Sequence, residues 1–456
     1  MFIWALLFFG LPGRIAASFN NLNIRRYFIL IFGGGIIFWL SPFTFTLTLL
    51  LSMFHFAAYG LCGKSRFLRT VVIAIDLLLL FAIHYMGQSG ISKICPFLLP
   101  YTHLEIYGSS FLIIFFIDHL LRSSPHRESH LLSFVNFAAS AFYLPRFFSG
   151  PIVNTIDLQD QISSNSETKH ELASSSDRLL LGFFKQIVIA DSIYPMVHSV
   201  LDYSHPYPFL TVYTACALYS LQLYFAFSGY TDIALGVSGL IGISLPENFN
   251  RPFSQKNWSA FWNSWHSSLT QWLWQFVFTP VYLTMSRWGL KLLLAETCSV
   301  ITVFLAMAFF NGIQVGYFIS AGIFALFYLL EKVFRWHFCN KWLIFIVFSF
   351  GLFFFRQPGL EKAIWFLQQA VEFKNYLPSQ WPAEFFAPLA NGGHQQDYFN
   401  FGFSLLITFS FLFAENKISL LLKGEKSRVA VWMVLLFLVI IWGVFGNGEN
   451  FAYVQF

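Results

Sequence analysis

The stretch LRTVVIAIDLLLLFAIHYM (68–86) is long enough and apolar enough to cross a lipid bilayer as one helix. A spanning helix needs about 20 mostly apolar residues, because hydrocarbon offers no hydrogen-bond partner to a backbone amide. Stretches of this kind recur along the chain, which predicts an all-α, multi-pass integral membrane protein with at least ten membrane-embedded helices. The other candidate spans are 27–40, 43–60, 106–121, 131–148, 179–200, 208–228, 290–310, 313–334, 341–356, 399–415 and 429–446.

The amino-acid composition excludes an ordinary soluble domain. Hydrophobic residues make up 57% of the 456 residues and charged residues only 11%, whereas soluble domains carry about a quarter charged residues. The five cysteines are widely spaced without a C-x-x-C pair, so neither a metal site nor a disulfide framework is indicated. The apolar stretch from Phe2 to Leu11 is followed by Pro12-Gly13-Arg14, whereas a signal peptide would have a cleavage site of small residues there. We therefore expect this stretch to be retained as a partial or interfacial helix.

The positions of lysine and arginine predict the topology. Positive residues near helix ends mark the cytoplasmic side of a membrane. By this rule residues 64–69 and 417–428 face the cytoplasm, whereas the poorly charged segments 87–105 and 375–398 face the opposite side. The net charge of +5 is spread over such clusters and does not indicate a nucleic-acid partner.

One polytopic domain is expected over residues 1–456, with a core at 100–363 and peripheral helices at 1–99 and 364–456. No internal repeat is apparent in the sequence. A transporter would be expected to show paired interrupted helices in two related halves, and the chain has one such region. Transport is therefore the least favoured class of function.

Two polar stretches interrupt the apolar chain. Asn154–Arg178 is predicted to be a surface loop that leads into a helix capped by Ser176 or Asp177. Asn375–Asn400 carries three prolines and a Gly-Gly pair, which oppose a spanning helix. We expect a connector or a lid there.

Polar residues concentrate between residues 228 and 288. Polar groups are expensive at membrane depth and usually line a protein interior or an aqueous cavity, so this region is the default functional site. Pro246 and Pro252 interrupt it, which predicts re-entrant backbone that is buried in protein or faces water. The polar residues are Ser228, Tyr230, Asp232, Glu247, Asn248, Asn250, Arg251, Asn257, Asn263 and His266.

A single histidine, His266, lies among tryptophans in FWNSWHSSLTQWLWQFVFTPVYL (261–283), which is predicted to be a helix. Indole rings exclude water, and neutral imidazole is the side chain best suited to take a proton from an alcohol near neutral pH. A lone histidine in an apolar helix is also commonly a hydrogen-bonded structural residue, so spacing alone leaves both roles open. No serine or cysteine lies in a recognisable nucleophile motif, so a covalent intermediate is not indicated.

Six blocks of sequence resemble blocks of the membrane-bound O-acyltransferases and occur in the same order and with similar spacing. The resemblance is to the branch that includes alginate O-acetyltransferase and the D-alanyl transfer protein of teichoic acid synthesis. The most specific blocks are FAFSGYTDIALGVSGLIGISLPENFNRPF (225–253) and FWNSWHSSLTQWL (261–273). The likeness covers nearly the whole chain. The other blocks are YGSSFLIIFFID (107–118), FYLPRFFSGPIV (142–153), LGFFKQIVIADSI (181–193) and FFFRQPGLEKA (353–363).

The resemblance implies a helical bundle with re-entrant segments around a central funnel or tunnel, with His266 near the reaction centre. It implies transfer of an acyl group from a cytoplasmic thioester, acetyl-CoA or an acyl carrier protein, to a hydroxyl of an extracytoplasmic polysaccharide or other envelope acceptor. The donor is then a substrate, and no bound cofactor is implied. The implied location is the bacterial inner (cytoplasmic) membrane, and the implied partners are membrane lipid, the donor or its carrier protein and an extracytoplasmic acyl-transfer protein.

The sequence departs from the family pattern at the second histidine. Relatives carry a G-L-W-H-G block on the following helix, and the corresponding stretch here is FFNGIQVGYFISAG (309–322), with Gln314 and Val315 in the tryptophan and histidine places. The family's W-L-R-D is here W-L-W-Q, where Trp274 and Gln275 remove a cation and an anion. These departures favour a second hypothesis, a catalytically degenerate relative that binds an acyl lipid, a carrier protein or another subunit.

The remaining candidates have weaker claims. For Asp232, a hydrogen bond inside a broken helix is favoured over direct catalysis. Asn248, Asn250 and Arg251 are expected to fix the re-entrant segment, and Arg251 is also a candidate to meet a donor phosphate. The other candidates for substrate binding or for the tunnel lining are Trp262, Trp265 and Gln314.

Overall fold

The structure is a computed structural model that describes most of the chain. Within the described residues the backbone is helical, apart from loops and one isolated antiparallel bridge between Phe249 and Trp265. The predicted all-α class is confirmed. The described ranges are 2–18, 22–63, 65–89, 106–122, 131–147, 150–163, 172–202, 207, 209–334, 340–357, 359–371 and 395–444.

Eight helices in the described part are long and apolar enough to cross a membrane. Large apolar side chains cover their outer surfaces: Leu78, for example, is 66% exposed and Phe413 is 79% exposed. Such surfaces are stable in lipid and not in water. The chain is a multi-pass integral membrane protein, as predicted, and the number of embedded helices beyond these eight stays a prediction. The eight are Asn23–Leu40, Pro42–Cys62, Arg66–Tyr85, Leu172–Leu201, Phe209–Ile241, Leu292–Asn311, Val315–Lys332 and Phe401–Leu421.

The helices pack into two compact units. The expectation of a single domain stays a prediction. Two helices, Leu172–Phe183 and Phe209–Ile241, contribute residues to both units. The first unit comprises Met1–Leu179, Tyr230–Glu247 and Gly448–Phe456, and the second comprises Leu180–Gly229 and Asn248–Asn447.

Buried polar pairs join elements of the first unit. His55 Nε2 lies 3.0 Å from Asp76 Oδ1, and the Tyr143 hydroxyl donates to Ser238 Oγ at 2.8 Å. Because polar groups inside a membrane protein need partners, such pairs fix the register of the helices that carry them. The helices of this unit are Phe2–Ser18, Leu22–Phe28, Ile29–Gly33 (π), Gly34–Leu40, Pro42–Cys62, Arg66–Ser89, Ser109–Arg122, Leu131–Ala141, Leu144–Phe147 and Thr155–Ser163.

Three consecutive helices of the second unit, Leu292–Asn311, Val315–Phe334 and Lys341–Arg356, pack against one another. A Cβ at Gly351 would lie 2.3 Å from the Phe324 ring, so glycine permits the close approach of the last two. The other elements of this unit are Phe184–Ala190 (π), Asp191–Leu201, Pro252–Ser254 (3-10), Trp258–Ser264, Ser267–Leu273, Trp274–Phe278 (π), Thr279–Arg287, Leu360–Val371, Gln395–Leu421 and Glu425–Trp442.

Two local predictions are wrong. The helix Phe209–Ile241 is continuous for 33 residues, so Asp232 is not in a broken helix and the irregular backbone begins only after Ile241. Ser176 and Asp177 lie inside the helix Leu172–Phe183 and do not cap it. In both cases the packing of the apolar face outweighs the local preference of the polar residues for loops and caps. Residues 375–394 of the second polar stretch lie outside the described residues.

Candidate functional site

The chain between the long helix Phe209–Ile241 and His266 has little regular structure. Gly242, at φ +78°, ends the helix, and Pro246 and Pro252 each lack an amide donor. One 3-10 turn over Pro252–Ser254 precedes the short helix that leads to His266. The backbone around the two prolines is otherwise non-helical, and its predicted re-entrant course in the membrane stays a prediction.

His266 lies at a break between two short helices, Trp258–Ser264 and Ser267–Leu273. Its backbone is left-handed, with φ 45° and ψ 50°. This conformation is uncommon outside glycine, and asparagine, aspartate and histidine are enriched in it. The prediction of one helix from Phe261 onward is wrong, because hydrogen bonds to another segment replace the helical bonds at His266.

The replacement is a short antiparallel pairing. Phe249 and Trp265 form the bridge, with the Asn250 amide donating to the Ser264 carbonyl at 3.0 Å. The Ser267 amide donates to the Asn248 carbonyl at 2.9 Å. These bonds satisfy backbone groups that the interrupted helix leaves open, and they hold Asn248 beside His266.

Asn248 fixes the tautomer of His266. Its Oδ1 atom lies 3.3 Å from the backbone nitrogen and 2.9 Å from Oγ of Ser268, and 3.0 Å from Nδ1 of His266. A backbone N–H can only donate, so this amide atom is assigned as the oxygen and Nδ1 as the protonated ring nitrogen. The lone pair of the neutral imidazole is therefore on Nε2.

The imidazole is enclosed by apolar rings. His266 is 6% exposed and Asn248 is fully buried. The Phe227 ring meets the imidazole edge-on, with the ring centroids 4.7 Å apart. Burial lowers the pKa of His266 far below its ordinary value, because the charged form loses its solvation. The ring is neutral near pH 7.

The amide nitrogen of Asn248 provides a second polar atom. Nδ2 is buried and has no hydrogen-bond partner among the described residues. A buried donor without a partner costs about 1–3 kcal/mol, so a ligand oxygen that accepts from it gains stability. An acyl carbonyl, whose oxygen becomes negative during transfer, is such an acceptor.

A cavity of about 540 Å³ lies beside the two short helices. Trp262 lines it, is 6% exposed, and has no partner for Nε1 among the described residues. Trp274 and Gln275, which replace the family's charged pair, also line the cavity, and Lys332 is the charged residue of its described lining. The cavity therefore suits a ligand that carries oxygen acceptors and negative charge.

Three predicted residues support the fold of this region. Trp265 is 5% exposed and packs on Phe348, with ring centroids 4.7 Å apart. The backbone oxygens of Asn250 and Arg251 accept from the Gln255 amide at 3.2 and 3.4 Å. Arg251 is left-handed at φ 47°, where the chain turns toward the short helix Trp258–Ser264 that precedes His266.

Asp232 belongs to a different cluster, in the first unit. Its Oδ1 accepts from Arg178 at 2.7 Å, and the same guanidinium pairs with Glu247. Glu247 directly precedes Asn248 in the chain. The Arg178 pairs therefore tie the residue before Asn248 to the helix that carries Asp232.

Gln314 and Val315 lie where the helix Val315–Phe334 begins, after Gly312 at φ 145°. The Gln314 side chain makes no hydrogen bond to other described residues, and Val315 is 52% exposed. The structure thus groups Asn248, Trp265 and His266 closely and provides no contact between His266 and Gln314.

Sequence reasoning missed Ser268 and Glu331. Ser268 shares the Asn248 oxygen with His266, and its place two residues after the histidine was the available signal. Glu331 accepts from the amides of Trp258 and Ser259 at 2.5 and 3.2 Å, which stabilises the amino end of the helix before His266. Nothing in the local sequence links residue 331 to residue 258.

The sequence of this chain is similar to those of several known proteins. The chain is 33% identical to a probable alginate O-acetylase of Azotobacter vinelandii over 178 residues, which are 39% of this chain and 35% of the relative. It is 30% identical to a peptidoglycan O-acetyltransferase of Helicobacter pylori over 165 residues, 36% of this chain and 31% of the relative. A teichoic acid D-alanyltransferase of Bacillus subtilis is 25% identical over 347 residues, 73% of this chain and 86% of the relative.

The match to the alginate O-acetylase thus spans about a third of that relative's length. The model of the membrane-bound O-acyltransferase family matches residues 24–357, which include Asn248, His266 and the residues that line the cavity. This match covers well over half of the chain, and the resemblance inferred from six sequence blocks is confirmed. The chain belongs to the membrane-bound O-acyltransferase family.

Proposed function

We propose that this protein is a working O-acyltransferase in which His266 takes the proton of the acceptor hydroxyl. The donor is a thioester, acetyl-CoA or an acyl carrier protein, that arrives from the cytoplasmic side. The acceptor is a hydroxyl of an extracytoplasmic polysaccharide or another envelope polymer. Relatives named for alginate, peptidoglycan and teichoic acid support an envelope acceptor.

The observation that carries this proposal is the hydrogen bond between Asn248 and His266. With Nδ1 committed to the amide oxygen, Nε2 is the nitrogen that accepts a proton. The acceptor hydroxyl gives its proton to Nε2 while its oxygen attacks the thioester carbonyl carbon. The carbon–sulfur bond breaks, and the leaving thiolate takes the proton from the imidazolium.

Asn248 also has a role in stabilising the transition state. Its unpartnered Nδ2 can donate to the carbonyl oxygen as negative charge develops there. One asparagine would then hold the base by its oxygen and the substrate by its nitrogen. Removing a donor of this kind typically lowers a rate by about 10²–10³-fold.

Burial makes His266 a weak base in the resting protein, so the alignment of substrates must supply much of the acceleration. Holding both reactants in a water-poor site contributes on the order of several kcal/mol, and one general base typically contributes about 10²–10⁴-fold. The cavity lined by Trp262 and Lys332 offers hydrogen-bond donors and a positive charge for the polar arm of a thioester donor.

The alternative is a catalytically degenerate relative that binds an acyl lipid, a carrier protein or another subunit. Valine in place of the family's second histidine favours it, because Val315 has no group that can move a proton. The two functions differ in one outcome, the transfer of an acyl group.

Incorporation of labelled acyl groups into cell-envelope material distinguishes a working acyltransferase from a binding protein. Wild type and His266→Ala are compared at matched membrane levels in cells that lack other acyltransferases of this family. Transfer by wild type and none by His266→Ala supports the enzyme. Equal transfer by both would remove His266 from the mechanism, and no transfer by wild type with several donors would favour the binding protein.

A further inference from the structure

A second group of titratable side chains surrounds Asp202 in the second unit. Asp202 pairs with Arg356 through two hydrogen bonds, of which the Nε–Oδ1 bond is 3.0 Å long. His198 Nδ1 lies 2.5 Å from Asp202 Oδ2, and Lys362 Nζ donates to the Asp202 backbone oxygen at 2.9 Å. We call His198, Asp202, Arg356 and Lys362 the Asp202 cluster. Its members come from the ends of the elements Asp191–Leu201, Lys341–Arg356 and Leu360–Val371.

Asp202 fixes the ring of His198. A carboxylate only accepts hydrogen bonds, so Nδ1 carries a proton and donates to Asp202. The Tyr194 ring stacks on the imidazole, with centroids 5.1 Å apart and an interplanar angle of 19°. The imidazole is thus held by a carboxylate on its edge and by an aromatic ring on its face.

The cluster is open to its surroundings. The side chains of His198, Asp202 and Arg356 are 30%, 26% and 19% exposed. Lipid would not tolerate three ionisable groups at the end of apolar helices, so the open part faces water or a polar ligand.

The predicted topology places the cluster on the outer side of the membrane. The sequence predicts 341–356 as a membrane span; the helix Lys341–Arg356 has 16 residues and is about 24 Å long, shorter than the eight helices that are long enough to cross a membrane. Its first residue, Lys341, lies close in sequence to Lys332 and Arg335, and the positive-inside rule assigns these three basic residues to the cytoplasm. Arg356, at the opposite end, then faces the outside.

The cluster has one positive charge in excess. Arg356 is matched by Asp202, whereas Lys362 has no carboxylate partner among the described residues. Glu361 precedes Lys362 on the helix and is exposed, but adjacent helical residues do not face each other. Lys362 is therefore available for an anionic group of a ligand.

We propose that the Asp202 cluster is a binding subsite for a hydroxylated, acidic polymer on the outer side of the membrane. This proposal rests on the proposed function, for which such a polymer would be the acyl acceptor. The His198 ring hydrogen-bonds a ligand hydroxyl, and Lys362 contacts an acidic group, either a carboxylate or a phosphate. The subsite positions the polymer and does not take part in the chemistry at His266.

Direct binding to the purified full-length protein in lipid nanodiscs tests the subsite without requiring catalysis. The probes are an oligouronate, a glycerol phosphate oligomer and a neutral oligosaccharide of similar length, measured by titration calorimetry. We expect at least one acidic probe to bind about tenfold more tightly than the neutral one, since a charge-assisted contact is lost in the latter. The acidic probe that binds identifies the anion as carboxylate or phosphate.

Two variants assign the binding to the cluster. Lys362→Gln should weaken the binding of the acidic probe about tenfold and leave the binding of the neutral probe unchanged. His198→Phe keeps an aromatic ring that can stack on Tyr194 but removes the ring nitrogens. It should weaken the binding of every probe that binds to wild type. His84→Gln, in the first unit, is the matched control and should bind as wild type does. If His198→Phe fails to fold, Lys362→Gln alone decides, because Lys362 donates to a backbone oxygen and lies over the Phe366 ring but forms no ion pair with a carboxylate of the described residues.

The subsite is overturned if no probe binds, if neutral and acidic probes bind equally, or if both variants bind as wild type does. The proposed function fails separately: probe binding that the variants abolish, in a protein that transfers no acyl group, would leave the subsite standing and refute the enzyme. Acyl transfer with unchanged binding in both variants would refute the subsite alone.

Discussion

The amide oxygen of Asn248 lies 3.0 Å from Nδ1 of His266, although the two residues are 18 positions apart in the chain. The same oxygen accepts from both the amide and the hydroxyl of Ser268. Three donors thus converge on one buried oxygen. This convergence orients the amide, and the amide in turn decides which nitrogen of the imidazole can accept a proton.

The left-handed backbone of His266 predicts how substitutions there affect stability. Asparagine adopts this conformation more readily than alanine, so His266→Asn should be more stable than His266→Ala by about 1 kcal/mol. Both variants lack a base and should transfer no acyl group. Thermal melting in detergent, followed by size-exclusion chromatography, measures the difference. A higher melting temperature for His266→Ala would contradict the proposed strain.

The pH dependence of acyl transfer should reflect the buried, neutral His266. Its pKa is lowered by burial, so the active neutral form is present throughout the neutral range and is lost only when the pH falls far below 6.5. The wild-type rate should therefore show no change caused by protonation of His266 between pH 6 and pH 8. Initial rates in nanodiscs across this range measure the profile, provided the donor's own hydrolysis is subtracted.

Asn248→Asp should move that profile. A carboxylate beside an imidazole favours its charged form and raises the pKa by about 1–3 units. Measured from pH 4 to pH 8, the rate of the variant should then fall at the acidic end, where the wild-type rate stays flat, because an imidazolium cannot accept the acceptor's proton. Ser268→Ala, which adds no charge, should keep the flat profile. A flat profile for Asn248→Asp would argue against His266 as the base.

Val315→His should raise the rate of acyl transfer, because it restores a proton-accepting ring at the position of the family's second histidine. Val315 is 52% exposed, so the larger ring can be accommodated without overpacking a core. Val315→Gln is the matched control, since a carboxamide can orient a hydroxyl but cannot take its proton near pH 7. Equal rates for the two variants would show that proton transfer at residue 315 contributes nothing.

The Arg178 pairs should differ in their contribution to stability. Asp232 is buried, whereas the Glu247 side chain is 57% exposed. Asp232→Asn should therefore lower the free energy of unfolding by about 1 kcal/mol or more, and Glu247→Gln should lower it by less than about 0.5 kcal/mol. Thermal melting of both variants at matched detergent and salt concentrations tests the order. The reverse order would contradict the assignment of Asp232 as the main partner.

The sequence by itself determined the all-α membrane class, because the length and hydropathy of a span such as 68–86 leave the backbone one way to satisfy its amides in lipid. It also determined the family, through blocks such as 225–253 and 261–273, and it located the polar region that contains His266. The two prolines in that region predicted the interruption of helical structure, which depends only on local backbone chemistry.

The tertiary structure decided how that region is built. The sequence predicts a broken helix around Asp232, but packing keeps the helix Phe209–Ile241 intact, and the helix predicted from Phe261 is broken at His266 instead. The bonds of Asn248, Ser268 and Glu331 join residues that no local pattern relates. Helical propensity and hydropathy act over a few residues along the chain, whereas the orientation of a buried imidazole depends on which distant donors and acceptors the fold brings within about 3 Å.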